Sequence, residues 1–440
     1  MLKYDLCNLF KKNILLITLN VSAIILCFYL LNAIGIIEHI HETVFSGPDS
    51  REYFDYAKWI SGNNGVCNSY RTFFYPLVLL FSEKAGGTCG IWYLQMFLWL
   101  CSCNLIYLTV LRHTGKKILA AFSFILTASN ISLIVYTAFA LTEIITFFML
   151  SVFAFSFTLS KWNNKNNLLM FFILFVISIL ASIKPLFQII WYAAILIILI
   201  SQLRKIINKP LMILFLLLAS TPVITQTVIN KMMYNTFRNT SIADITVRDY
   251  LYRKTRFYIE NNTIPYAQID NQYFLYPGAL PDSVVKKQKY EISLLSNSEI
   301  IKDLLTHWKY SLVVYQNNLV DYNLKAANQA ILINADNLKY RMWTKIYNKS
   351  FYYIHLIMLC IWIYYLISNF KRRTSLEYLY VLLCGLLSNY ILYTSGITFW
   401  AGDRVIVSAI GIWGSLYVVL IYLAFEKNEF LKKEIRFAKF

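Results

Sequence analysis

Residues 47–57, GPDSREYFDYA, bring Asp49, Glu52 and Asp55 close together directly after a long apolar run, and YRTFFYP follows at 70–76. A carboxylate in such a place can take a proton from a hydroxyl, and a nearby cation can offset charge gathering on a departing anion. Four further positions have the same character: Arg71 in YRTFFYP, Glu143 in ALTEIITFF, Lys184 in ASIKPLF and the pair Asp403 and Arg404 in FWAGDRVIV. Each stands at the edge of an apolar run. Burying an ionisable side chain in hydrocarbon costs roughly 2.5–3.5 kcal/mol or more, so such placements are selected against unless the charge does something.

Taken singly, each position has a plainer reading. Asp49 has the position and spacing of a helix cap, with Glu52 three residues on as in a capping box. Glu143 suits the N-terminus of a helix, where a carboxylate meets the positive end of the dipole. Lys184 and Arg404 can snorkel to headgroups, and Arg71 can pair with Glu52 or Asp55 at the surface. His39 and His41 in HIHE are a weak invitation to a metal.

The elements that must position these groups are membrane spans. The 440 residues are 58% hydrophobic and 17% aromatic, above ordinary globular usage, and runs of about 20 apolar residues recur. About ten spans are expected: Asn13–Ile37, Ile91–Leu111, Ile118–Leu141, Ile144–Leu159, Leu168–Ile183, Leu186–Ile200, Leu211–Val228, Phe351–Ile367, Leu376–Tyr393 and Val405–Ala424. The first follows Lys3, Lys11 and Lys12 and is too long for a signal-peptide core, so it reads as a retained anchor. With both termini cytoplasmic, nineteen of the 41 Lys and Arg residues fall inside against five acidic ones. Most of the +18 net charge is then the positive-inside signal, directed at anionic lipid and not at nucleic acid.

This topology predicts an N-terminal transmembrane module over 1–228 with a first outer loop at 38–90, an extracytoplasmic segment over 229–349, and C-terminal spans with a cytoplasmic tail over 350–440. In the first loop Tyr53, Tyr56 and Ile60 follow Asp49 on one helical face, and GNNG at 62–65 ends that helix. The segment around 231–297 reads as irregular, with a turn at Tyr276-Pro277-Gly278. Ser296 and Glu299 then repeat the capping-box spacing, and Ile300, Leu304, Trp308 and Leu312 predict an apolar stripe that lies on the outer membrane surface or packs on the bundle. Of the eight cysteines, only Cys67 and Cys89 share an outer loop, where an oxidising compartment permits a disulfide.

Together the charged positions lie on one outer face, in a topology assigned without using them. A carboxylate beside interfacial cations suits attack by an acceptor hydroxyl on a sugar whose leaving group is a lipid phosphate, with an apolar groove for the lipid tail. DSREY, then YRTFFYPL, a Glu after the third span, a Lys-Pro after the fifth and a DR before the last resemble, in order along the whole chain, the GT-C superfamily of glycosyltransferases. The nearest likeness is to its protein-mannosyltransferase and aminoarabinose-transferase branch.

The resemblance implies an all-α polytopic bundle in the bacterial inner membrane, with its active site facing the periplasm or cell exterior. It implies transfer from a polyprenyl-phosphate-linked sugar donor to an envelope glycan or lipid acceptor, by inversion if one base serves a single displacement. Asp49 would be the base or acceptor-positioning group, with Asp55 as the alternative and Glu143 as the second acidic position. Arg71, Lys184 and Arg404 would bind the donor phosphate, and Tyr53 and Tyr75 would contact substrate. No cofactor is indicated, since Ser50 follows Asp49 where metal-using relatives carry a second carboxylate. Hydrogen bonds from a helix N-terminus would make Asp49 a weaker base, one that orients a hydroxyl more than it strips it. Rival readings are an O-antigen polymerase and a lipid-linked glycan flippase; the latter usually shows broken spans and midplane charges.

Overall fold

The computed structural model describes residues 2–47, 49–67, 71–159, 166–207, 210–237, 246–260, 290–319, 338–372, 375–397 and 404–425, all helix and connection, with no strand among them. The first half runs α1 (Leu2–Ala33), α2 (Ile40–Thr43), α3 (Ser50–Ile60), α4 (Phe74–Thr114), α5 (Lys117–Ala128), α6 (Ile131–Tyr136), α7 (Glu143–Ser156), α8 (Asn166–Ile183), a 3-10 turn at Pro185–Phe187, α9 (Gln188–Ile207) and α10 (Pro210–Tyr234). A π-helical segment (Thr246–Tyr252) leads into α11 (Arg253–Glu260), followed by α12 (Asn297–Thr306) and α13 (Trp308–Asn317). The chain closes with α14 (Leu338–Ser368), α15 (Leu376–Ser395), α16 (Arg404–Val407) and α17 (Ile410–Phe425).

Four stretches are long and apolar enough to cross a membrane: Asn13–Ala33, Phe74–Thr114, Ile213–Tyr234 and Leu376–Ser395. Among the described residues, the other six expected positions carry apolar helices of 10–17 residues. The chain is therefore an α-helical membrane protein, and among the described residues four of the ten expected spans are long and apolar enough to cross. One predicted span is divided. Ile118–Leu141 reads as continuous, but the helix stops at Ala128 and restarts at Ile131, where the Asn130 side chain accepts from the Leu133 N–H at 2.9 Å. From Thr137 to Thr142 the backbone is irregular, yet every one of these residues is buried.

Irregular backbone at such depth needs internal partners. Here Gln95 Nε2 donates to the Phe139 carbonyl at 2.7 Å, the Ala140 N–H donates to Val44 O at 3.0 Å, and Ser50 Oγ donates to Ala140 O at 3.1 Å.

The expected span beginning at Ile91 starts earlier, as a separate helical stretch from Phe74. The two are joined at Gly86 and Gly87, the latter at φ 58°, ψ −151°, a conformation that side chains with a Cβ avoid.

Between apolar helices in lipid, association rests on close packing and interhelical hydrogen bonds. Asn20 on α1 and Asn104 on α4 exchange amide hydrogen bonds of 3.0 and 2.7 Å. His355 on α14 is buried between the Tyr417 hydroxyl and Asn389, joining α14, α15 and α17. Gly411 brings α17 against α7 so closely that an added Cβ would stand 2.5 Å from Phe147 O and 3.1 Å from Leu150 Cβ. Gly411→Val is expected to destabilise the bundle by about 1–3 kcal/mol through overpacking, seen as a lower thermal-unfolding midpoint in detergent; an unchanged midpoint would show that this contact yields.

A second, small core lies outside the bundle. Tyr252, Ile292 and Ile300 pack with Val247, Leu295 and Leu304, while Arg248 donates to the carbonyls of Ile292 and Leu295 at 2.9 and 2.8 Å. The Ser296 capping box forms as its spacing predicts, and the Ser296 backbone and hydroxyl hold the Glu299 carboxyl below its ordinary pKa. The expected stripe does not persist: at His307 the helix breaks, leaving Ile300 buried and Leu304 half-buried but Trp308 and Leu312 exposed. The turn expected at 276–278 lies outside the described residues.

Candidate active site

Asp49 occupies the position before α3, but its side chain makes no cap hydrogen bond. The capping-box reading of Asp49 and Glu52 is therefore replaced by another arrangement: both carboxylates turn to Arg71. Arg71 Nη2 donates to Asp49 Oδ1 and Nε to Glu52 Oε2, each at 2.6 Å. Charge-assisted bonds of this length, two from one rigid fork, outcompete the weaker pull of backbone N–H groups. The guanidinium is largely buried, 5.1 Å from the Tyr53 ring centroid, and Tyr53 meets Tyr75 edge-on at 4.9 Å. Burial pulls the Arg71 pKa down, but Tyr53 and the two carboxylates push it up and prevail, so Arg71 stays charged.

Glu143 is the first residue of α7 and is 1% exposed. Lys184 stands between α8 and the 3-10 turn that Pro185 opens, with Nζ 3.4 Å from Glu143 Oε1. The snorkelling reading of Lys184 gives way to an ion pair, with its side chain 13% exposed and turned to Glu143. These two residues, 41 apart in sequence, form the second ion pair of the site.

The two pairs are neighbours. Thr72, next to Arg71, donates its hydroxyl to the carbonyl of Ile183, next to Lys184, at 3.3 Å. Ser50, next to Asp49, donates to Ala140, three residues before Glu143. Four chain segments thus meet at one end of the bundle, locked by side chain to backbone bonds beside each charged residue. A third fastening comes from α10, where Gln226, Asn230 and Tyr234 recur every four residues on one face. The Phe73 N–H donates to Gln226 Oε1 at 2.6 Å, Gln226 Nε2 donates to Asn230 Oδ1 at 3.1 Å, and the Tyr234 hydroxyl donates to the Cys67 carbonyl.

Gln226→Leu removes the acceptor of a largely covered N–H and is expected to cost about 1–3 kcal/mol. It should also loosen the segment carrying Arg71, so that trypsin cuts there faster in the folded protein, while Gln226→Glu, which keeps an acceptor, should not. Equal cleavage of all three proteins would count against this fastening.

Other expected residues stand apart or differ in role. Asp55 faces Lys58 at 3.7 Å and is half exposed, away from the Arg71 cluster. Tyr53 and Tyr75 are buried and form the support beneath Arg71; their rings present little surface to a substrate. Cys67 and Cys89 are both free thiols, and Cys89 Sγ lies 3.7 Å from His41 Nε2. Among the described residues, no three His, Cys, Asp or Glu side chains gather as a metal site. Asp403 and the side chain of Arg404 lie outside the described residues.

Thr72, Gln226 and Tyr234 were not singled out by the sequence, and Ser50 was noted only for the carboxylate it lacks. The polar run Gln226, Asn230, Tyr234 at the end of an apolar span was the available signal. Chemically, the site offers a partly exposed carboxylate, Asp49, held at one oxygen by a permanent cation, beside a largely buried ammonium. Compared with family models, curated proteins and solved structures, the chain matches none.

Proposed function

We propose that this protein is an integral-membrane glycosyltransferase that moves a sugar from a polyprenyl-phosphate carrier to a hydroxyl of an envelope glycan or lipid, at the outer face of the bacterial inner membrane. The observation that carries the reading is the junction itself: the Arg71 cluster and the Glu143 and Lys184 pair lie at the end of an apolar helix bundle, joined through the Thr72 to Ile183 hydrogen bond between their neighbouring residues. Such a transfer needs a base and a cation for the leaving phosphate close together at the membrane edge.

In this mechanism Asp49 accepts the acceptor hydroxyl proton as the hydroxyl oxygen attacks the anomeric carbon. The bond from that carbon to the phosphate oxygen breaks, and its electron pair leaves with the polyprenyl phosphate. One displacement inverts the anomeric centre. Arg71 takes a different part from the phosphate binding that the resemblance implies. Its fork already holds two carboxylates, so it fixes Asp49, and the charge of the leaving phosphate falls to Lys184 and Arg404. An ammonium has three donors, so contact with Glu143 is compatible with contact to a phosphate oxygen.

The flippase reading gains one observation, the broken α5 and α6 with irregular backbone at 137–142. That segment is fixed by hydrogen bonds donated by Ser50 and Gln95 and by one it donates to the Val44 carbonyl, which suits a rigid floor better than a moving gate. The test uses proteoliposomes given a panel of radiolabelled polyprenyl-phosphate sugars in the leaflet facing the Asp49 side only. Glycosyl transfer to added acceptor lipid or glycan is the expected result. Donor that crosses the bilayer unconsumed would replace the transferase reading with the flippase.

A further inference from the structure

The exposed apolar side chains of α13 raise a separate question. Trp308 and Leu312, one helical turn apart, are 56% and 52% exposed, whereas Val314 is buried and Asn318, just past the helix end, receives Lys254 Nζ at 3.1 Å. The helix therefore has an inner side packed on its neighbours and an outer side on which Trp308 and Leu312 stand with Lys309 and Gln316. Lys309 Nζ lies 5.9 Å from the Trp308 ring centroid.

The far end of α13 is tied to a span. The Tyr315 hydroxyl donates to the Tyr393 carbonyl at 2.6 Å, and the Tyr315 ring lies so close to Gly396 that an added Cβ would stand 2.6 Å from it. Tyr393 and Gly396 mark the end of α15, one of the four helices able to cross a membrane. Tyr315 is thus held at the level where a span leaves the hydrocarbon. At 1.5 Å per residue, Leu312 lies about 5 Å and Trp308 about 10 Å from that tether along the helix axis. The headgroup layer is roughly 5–8 Å deep on each side of the hydrocarbon core. With the reach of the Tyr315 side chain added, the tether keeps Leu312 and Trp308 within about two to three helical turns of the end of that span. A tryptophan, a leucine and a flanking lysine are the side chains that such a layer favours, the rings for its boundary with the acyl chains and the lysine for anionic headgroups.

We propose that the Trp308 and Leu312 face of α13 docks on the headgroup layer of the same membrane that the bundle crosses. It clamps the small outer core built on Tyr252, Ile292 and Ile300 against the bilayer. The surface is independent of the transferase reading and stands if that reading falls.

The test compares the full-length protein with Trp308→Phe in vesicles of phosphatidylcholine and phosphatidylglycerol whose acyl chains carry bromine near the headgroup. The difference in tryptophan emission between the two proteins isolates Trp308 from the other nine. The expected result is strong quenching of that difference by bromine, weak quenching by aqueous acrylamide, and a fall in bromine quenching with Lys309→Glu when phosphatidylglycerol is present. Quenching by acrylamide alone would place Trp308 in water and overturn the proposal. Quenching by neither would mean that a protein surface, such as a second copy of this chain, covers the face, and would overturn it equally. The substitution is conservative, and an unchanged elution volume shows that both proteins are folded.

Discussion

Asp49→Asn is expected to lower sugar transfer by roughly 10²–10⁴-fold, the usual contribution of a positioned general base, with expression, thermal stability and donor binding close to those of the parent. The geometry explains why the effect should be confined to chemistry. An asparagine at 49 keeps an oxygen for Arg71 Nη2, and Glu52 Oε2 still holds Nε at 2.6 Å, so the guanidinium stays seated on Tyr53. What is lost is the ability to receive a proton. Glu52→Gln is the matching control: it removes the other carboxylate of the cluster, which is 44% exposed, and should cost much less. Single-turnover transfer with prebound donor is the measurement. Full activity of Asp49→Asn at normal expression would remove Asp49 from the chemistry and leave the cluster a structural clasp.

The second large effect concerns the pair behind it. Lys184→Met leaves Glu143, which is 1% exposed, without the ammonium 3.4 Å away, and breaking a buried pair on one side costs about 3–5 kcal/mol. Replacing both partners by apolar residues of similar volume is often close to neutral. The Lys184→Met, Glu143→Met double variant is therefore expected to recover most of the stability lost by the single one. Transfer should stay lost in both, because no ammonium remains to meet the phosphate. Thermal unfolding in detergent gives the first comparison and donor turnover the second. Recovery of turnover together with stability would make the pair a packing device and shift the phosphate contact elsewhere.

The sequence disclosed those features whose causes are local. Ser296 and Glu299 are three residues apart, nothing stronger competes for them, and the capping box forms. Asp49 and Glu52 have the same spacing, but a guanidinium 22 residues from Asp49 takes both carboxylates, and no local rule reveals such a competitor. Hydropathy identified Ile118–Leu141 as apolar, which it is. It could not show that Asn130 would start a new helix or that Val44, Ser50 and Gln95 would satisfy an irregular backbone beyond it. The stripe from Ile300 to Leu312 failed at His307 because periodicity carries no information about a local break in the backbone. The candidate residues themselves were legible because charge at the edge of an apolar run is rare. The Arg71 and Glu52 pair was among the readings the sequence offered, whereas the Glu143 and Lys184 pair was not, since those two come together through the packing of α7 on α8.

The break between α5 and α6 also bears on how the bundle is built. Twelve residues of α5 reach about 18 Å, well short of a hydrocarbon core of about 30 Å. In the folded protein this segment therefore does not cross the hydrocarbon as one continuous rod. The carbonyls and amides of 137–142 are satisfied in part by Val44, Ser50 and Gln95, all earlier in the chain. The first loop and α4 thus supply the partners on which the later segment rests, and the setting of Ser50 beside Asp49 is shared with that segment.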